Sequence, residues 1–327
     1  FQKQPRPLIF HTLVHEAGHL VFGLLTGYGF CSFRIFSFMW VKDGEKLKLR
    51  RLSLAGTGGQ CLMSPPDIKD GKMPFVLYNL GGSIMNAAVG ALFLALYFIC
   101  PNGSRTAPFV LLFAAVGFIT AVMNGVPMRL GAVDNDGYNA LAISKSSEAA
   151  EAFWVQLSIV GQSARGVRLK DMPEEWFRVP AEESMQNSIV AVRGVLACNR
   201  LMDEQKFNQA DALMARMLAA ESGMAGIHRG LLVCDRIYIE LIGVARREAI
   251  EAMLTKAQAK FMKSMRRYPS VLRTEYALAL LLEKNAARAE GIRAEFEKAA
   301  KSYPYPQETE SEQQLICLAL NKSRGRA

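Results

Sequence analysis

The chain has 327 residues, enough for two or three domains, and is 50% hydrophobic and 21% charged with a mean hydropathy of +0.10. Residues 1–137 hold 12 Lys+Arg and 7 Asp+Glu, and residues 138–327 hold 27 and 23, so the second part is about twice as densely charged. Its charges alternate in sign with no single-sign run of five, which argues against a nucleic-acid partner. The six cysteines are scattered without a CxxC pair, which argues against a disulfide frame or zinc ribbon.

Between Arg6 and Arg34 the only formal charge is Glu16, and residues 73–104 and 106–128 carry none. Uncharged apolar runs of this length read as membrane spans, since about 20 helical residues cross a hydrocarbon core of about 30 Å. The predicted spans are about 8–30, 75–99 and 107–127. The sequence opens at Phe1 rather than Met, which leaves any upstream signal or helix outside view. Gly81, Gly82, Ala87, Ala88, Gly90 and Ala91 in the second span are small enough to let helices approach closely in lipid.

Between the first two spans, residues 33–54 read as two strands about an Asp43-Gly44 turn, a β-hairpin. Residues 55–60 and Pro65-Pro66 close that unit as loop. The 31–72 loop holds eight Lys/Arg against one, Arg105, in the 101–106 loop. The positive-inside rule therefore makes the 31–72 side cytoplasmic, and everything after Pro127 lies on that same side.

Residues 141–182 read as a connecting helix and linker, with the junction at 168–183 around Pro173 and Pro180. Residues 183–327 are helical by pattern. Ala259/Ala294, Phe261/Phe296, Lys263/Lys298, Tyr268/Tyr303 and Pro269/Pro304 recur at an offset of 35, and Phe207–Ala220 reads as the second helix of a further hairpin. A period near 34 resembles tetratricopeptide helical hairpins.

The first span contains His15-Glu16-Ala17-Gly18-His19. Histidines four apart project from one helix face and can reach one metal, and the glutamate between them is placed to accept a proton from a water that the metal activates. Polar groups inside an apolar span are costly, which argues that they serve a purpose. Two histidines and a water leave zinc one ligand short. His11 cannot complete the set, because eight helical residues put it about 12 Å from His19. A carboxylate is needed, and the Asp134-Asn135-Asp136-Gly137 run after the third span offers Asp134 and Asp136.

The HEAGH run, the later Asn124-Gly125-Val126-Pro127 and the following Asp136-Gly137 together resemble the site-2 protease family of intramembrane zinc metalloproteases. Gly82-Ser83-Ile84-Met85-Asn86 is similar to the family's Gly-Pro-x-x-Asn, with serine in the proline position. The resemblance implies His15, His19 and Asp136 as zinc ligands and Glu16 as general base. The gap from Pro127 to Asp136 is longer than the commoner family spacing, so Asp134 stays a competitor. It further implies that the 33–54 hairpin is the family's membrane-associated β-element. An exposed strand edge there is placed to hold an unwound substrate, and Asn86 and Asn124 are candidates for binding its backbone.

The sequence thus leads to a mainly α, polytopic membrane protein. Residues 1–140 form a three-span core with a membrane-associated β-hairpin, and a soluble helical-repeat domain follows. The expected function is a zinc endopeptidase, with one zinc per chain, acting in or near the transmembrane helix of a membrane-anchored substrate in a bacterial cell membrane. The cytoplasmic repeats are expected to recruit substrate or a protein regulator. The alternative is a metal-binding but non-proteolytic scaffold whose repeats bind partner proteins.

Overall fold

The fold is a computed structural model that describes residues 5–43, 46–52, 58–68, 73–129, 133–220 and 222–325. Helix α1 (Arg6–Leu25) leads into four short strands, β1 (Gly29–Ile35), β2 (Phe38–Asp43), β3 (Lys46–Arg51) and β4 (Gly59–Ser64). Helices α2 (Phe75–Phe98), α3 (Ala107–Gly125), α4 (Asp136–Ser144) and α5 (Ser147–Ala164) follow.

Among the described residues, α1, α2 and α3 are long and apolar enough to cross a membrane. Helix α1 stops at Leu25, before the expected end near residue 30. Gly27 takes a left-handed φ of +89°, and the chain turns there into β1. Helix α3 stops at Gly125 because Val126, ahead of Pro127, is pushed into extended backbone. Helices α1 and α2 meet where Gly18 faces Gly81. A Cβ at Gly18 would lie 2.3 Å from the Gly81 carbonyl oxygen, so the contact is made by backbone.

The residues gather into two compact units, 1–36 with 57–161 and 37–56 with 162–327. In the first unit β1 pairs antiparallel with β4, with a bulge between Phe30 and Ser32. Strand β4 begins inside the stretch expected to be loop. Its glycines and the Pro65-Pro66 that follows hide a half-buried strand in which Cys61 and Met63 alternate inward.

The second unit contains the β2–β3 hairpin, whose register pairs Asp43 with Lys46; Gly44 of the expected turn lies outside the described residues, as do residues 55–57 of the expected loop. The sequence grouped this hairpin with the membrane core. In the structure its inward residues Met39 and Val41 pack, with Leu52, against Tyr303 and Tyr305, and Arg51 N–H donates to the Ser302 carbonyl. The rest of the unit is helical: α6 (Ser188–Asp203), α7 (Phe207–Ala219), α8 (Gly226–Ile242), α9 (Arg247–Met253), α10 (Lys256–Ser264), α11 (Pro269–Ala277), α12 (Ala286–Ala300) and α13 (Pro306–Arg324). A π-helical turn, Leu278–Leu282, continues α11. The recurring Tyr-Pro pairs sit between helices. Pro269 opens α11, where a missing N–H does no harm, and the Tyr268 and Tyr303 rings meet edge to face at 6.3 Å.

One buried ionic cluster interrupts this apolar core. Arg273 is almost wholly buried, donates to Asp235 and, at 2.9 Å, to Glu312, and stacks over the Tyr238 ring at 4.3 Å.

Candidate metal centre

Helix α1 keeps its polar side chains on one stripe. His11, His15, Glu16 and His19 are buried, while Ile9, Leu13, Val21, Leu24 and Leu25 are exposed. Steps of four residues stay on one helix face, so the three histidines line up. Gly82 of α2 makes room for the His15 ring, because a Cβ there would come within 2.5 Å of it.

His19 Nδ1 donates to the Tyr78 carbonyl at 2.7 Å. A metal-binding imidazole is neutral and has one N–H, so this bond leaves the Nε2 lone pair of His19 for a ligand role. His15 Nε2 lies 3.1 Å from His19 Nε2. Asp136 Oδ2 lies 2.9 Å from the first nitrogen and 3.4 Å from the second. Ligands bound tetrahedrally at roughly 2.0–2.2 Å stand about 3.3 Å apart, which is the size of this triangle. Asp136 Oδ2 is also buried and, among the described residues, accepts no hydrogen bond. Three electron-pair donors converging at this distance fit a cation between them, so His15, His19 and Asp136 can hold a metal ion.

Asp136 reaches the histidines because its neighbours pin it. Asn135 caps α4 by accepting from Tyr138 N–H at 2.9 Å and also accepts from Met128 N–H at 3.0 Å. Its amide N–H group donates to the Met123 and Val126 carbonyls, so one buried side chain ties the end of α3 to the start of α4. A Cβ at Gly137 would lie 2.2 Å from the Gly125 carbonyl oxygen, which gives the Asp-Gly pair a packing reason. Asp134 points elsewhere. Arg129 Nε donates to its Oδ1 at 3.2 Å, and Asp134 is not among the groups that converge with the histidines.

Glu16 is buried against β4, where a Cβ at Gly59 would come within 2.4 Å of its carboxylate oxygen. Arg34, one of the eight Lys/Arg counted in the 31–72 loop, is fully buried in β1 and donates to the Phe36 and Gly59 carbonyls at 2.7 and 2.9 Å.

The two candidate asparagines part company. Asn86 is fully buried with its amide between His11 and His15, at 3.2 and 3.4 Å from their Nδ1 atoms. Asn124 donates to the Thr120 carbonyl of its own helix at 2.9 Å. Three contributors escaped sequence reasoning. Tyr78 acts through a backbone carbonyl and leaves no signal. Asn135 was legible as a capping residue ahead of Asp-Gly. Arg34 was legible as the first charge to follow Glu16.

No protein-family model, curated protein or solved structure matches the chain. The site is therefore interpreted from its own geometry.

Proposed function

We propose that this chain is a membrane-embedded zinc endopeptidase that hydrolyses a peptide bond in or near the transmembrane helix of a membrane-anchored protein. The observation that carries the reading is the triangle of His15 Nε2, His19 Nε2 and Asp136 Oδ2, with a buried glutamate between the two histidines in sequence, inside an otherwise apolar helix. When bound, zinc polarises a peptide carbonyl and makes a water molecule more acidic. His15, His19 and Asp136 would hold the ion, and Glu16 would be the group that accepts a proton from the attacking water. Tyr78 and Asn86 keep the two imidazoles turned toward the ion. A transmembrane helix hides its carbonyls in internal hydrogen bonds, so the substrate must unwind first. Among the described residues β4 pairs only with β1, which leaves one edge to take an extended segment by strand addition beside Glu16.

The outward apolar residues of α1, α2 and α3 support insertion in a bilayer, and the loop charges support a cytoplasmic side for the second unit. The helical repeats in that unit are proposed to recruit substrate or a regulator.

The test is made on detergent-purified protein. Metal analysis should find about one zinc per chain, lost in Asp136→Ala and kept in Asp134→Ala. Against a panel of single-span substrates with helix-breaking residues in the span, Glu16→Gln should lower cleavage by about 10²–10⁴-fold while the zinc stays bound. Undiminished cleavage by Glu16→Gln would refute the mechanism. Zinc-loaded protein inert toward every such substrate would favour the scaffold reading.

A further inference from the structure

The one buried histidine that the metal site leaves over is His11. It is fully buried, one turn before His15 on the same face, an edge-on neighbour of Phe10 and Phe93 at 5.2 and 6.5 Å and tilted against Phe113 at 6.3 Å. Gly117 opens the space for it, since a Cβ there would lie 2.7 Å from the ring. Its two nitrogens face Phe113 O at 2.8 Å and the Asn86 amide at 3.2 Å; the structure places the amide oxygen on the His11 side and the amide nitrogen 3.4 Å from His15 Nδ1, an assignment of ends that the partners' protons decide.

We propose that His11 is a positioning residue, acting through the Asn86 amide to hold the proton of His15 on Nδ1 and so to aim the Nε2 lone pair of His15 at the metal. The inference rests on the metal centre above.

A carbonyl oxygen only accepts, so the 2.8 Å contact with Phe113 O requires the His11 proton on Nε2. In a neutral ring His11 Nδ1 is then an acceptor and needs a donor. The amide NH2 of Asn86 is the group within reach, so it turns toward His11 and presents its oxygen to His15. An oxygen facing His15 Nδ1 requires a proton there, and the second nitrogen of His15, Nε2, is left with its lone pair inside the triangle. The opposite amide orientation, oxygen toward His11, requires protons on both His11 nitrogens and lodges an imidazolium among three phenylalanine rings. It also sends the His15 proton to Nε2, where a ligand lone pair is needed. A buried unpaired charge costs several kcal/mol. Exchanging the ends of an amide changes no heavy-atom distance, and the ends are told apart only by their partners. The neutral relay wins on that difference.

The three links join α1, α2 and α3. His11 bonds to α3, Asn86 belongs to α2, and His15 returns to α1, so the packing of all three helices sets the tautomer of one ligand.

The test reads the tautomer directly. The chain has four histidines, so ring-15N labelling gives four resolvable nitrogen pairs in the full-length protein, metal-free and zinc-loaded. The expected result for the zinc-loaded wild type is His15 protonated on Nδ1 and His11 protonated on Nε2 alone; without the metal, the Asp136 carboxylate 2.9 Å from His15 Nε2 competes for the His15 proton, so the loaded form is the one read. Asn86→Leu and His11→Phe should each mix the His15 tautomers and weaken zinc binding by roughly 10–100-fold in competition with a chromophoric chelator. Asn86→Asp keeps an acceptor for His15 Nδ1–H but offers His11 no donor, so it should restore the single His15 tautomer while adding a second proton to His11, which a packing role alone would not do. His15 protonated on Nε2 in the zinc-loaded wild type, or His15 tautomers as mixed in Asn86→Asp as in Asn86→Leu, would overturn the proposal. The wild-type spectrum alone decides if a variant fails to fold. A clean Nδ1–H tautomer in protein that takes up no zinc sustains the relay and sinks the peptidase reading; zinc-loaded, cleavage-competent protein with the wrong tautomer does the reverse.

Discussion

The two units invert each other. In the first, helix α1 buries His11, His15, Glu16 and His19 and exposes Ile9, Leu13, Val21 and Leu24. In the second, helix α8 buries Leu232, Ile237, Leu241 and Ile242, and pairs such as Arg247–Glu251 and Arg266–Glu295 stand exposed. Water drives apolar side chains inward and stabilises the second unit by area burial. Hydrocarbon would give no such drive, and the first unit has the contacts that such helices use in its place: the backbone approach of Gly18 to Gly81 between α1 and α2, and a hydrogen bond from the Tyr78 hydroxyl of α2 to the Cys61 carbonyl of β4 at 2.9 Å. The contrast shows where chemistry is to be sought. Inward polar clusters are expected to be rare in either unit, and the metal centre and the ionic cluster differ in content. The first brings two imidazole nitrogens together with a carboxylate oxygen that accepts no hydrogen bond among the described residues. The second pairs Arg273 with two carboxylates and is internally satisfied apart from one guanidinium nitrogen.

That contrast can be broken experimentally, and the largest effect is expected at the ionic cluster. Arg273→Met strands Asp235 and Glu312 and should lower unfolding stability by about 3–5 kcal/mol, whereas replacing all three by apolar residues should recover most of the loss, as read by thermal melting. A melt unchanged by Arg273→Met would mean that the cluster does not hold the unit together. Next comes the character of the outward faces. Ile119 in α3 and Val244 beyond α8 are both exposed. A lysine at Ile119 should cost about 2.5–3.5 kcal/mol of membrane insertion, while Val244→Lys should stay within about 0.5 kcal/mol. Equal tolerance in an insertion assay would erase the difference between the units.

The third effect is one of pH. Burial raises the Glu308 carboxyl from 4.5 to about 7, although the Tyr303 hydroxyl donates to it at 3.0 Å and favours its charge; Glu312 and Asp203 add to the rise. The folded state holds this proton more tightly than the unfolded one. The associated stability is therefore fully present below pH 4.5 and is lost as pH rises through about 7. Melting temperature should fall from pH 5 to pH 8 in the wild type and fall less in Glu308→Gln. An equal fall in both would remove Glu308 as the cause. The smallest effect is expected at Arg247–Glu251, an exposed pair four residues apart, where Arg247→Ala should cost no more than about 0.5 kcal/mol, less in high salt.

What the sequence determined by itself is local. A helix repeats every 3.6 residues, so His15 and His19 had to share a face and an uncharged run had to become an apolar rod. Tyr268-Pro269 and Tyr303-Pro304 had to fall between helices, because proline cannot continue one. Tertiary structure decided whatever joins residues far apart in the chain. Asp136 rather than Asp134 meets histidines more than 110 positions earlier because Asn135 and Gly137 clamp α4 to α3 and Arg129 holds the other carboxylate. Strand β4 forms because β1 is there to pair with it, and Arg34 is buried because the Phe36 and Gly59 carbonyls receive it. Spacing along one helix is fixed by backbone geometry and can be counted. Closure between helices depends on which surfaces fit, and a glycine such as Gly82 shows that fit only once His15 is seen beside it.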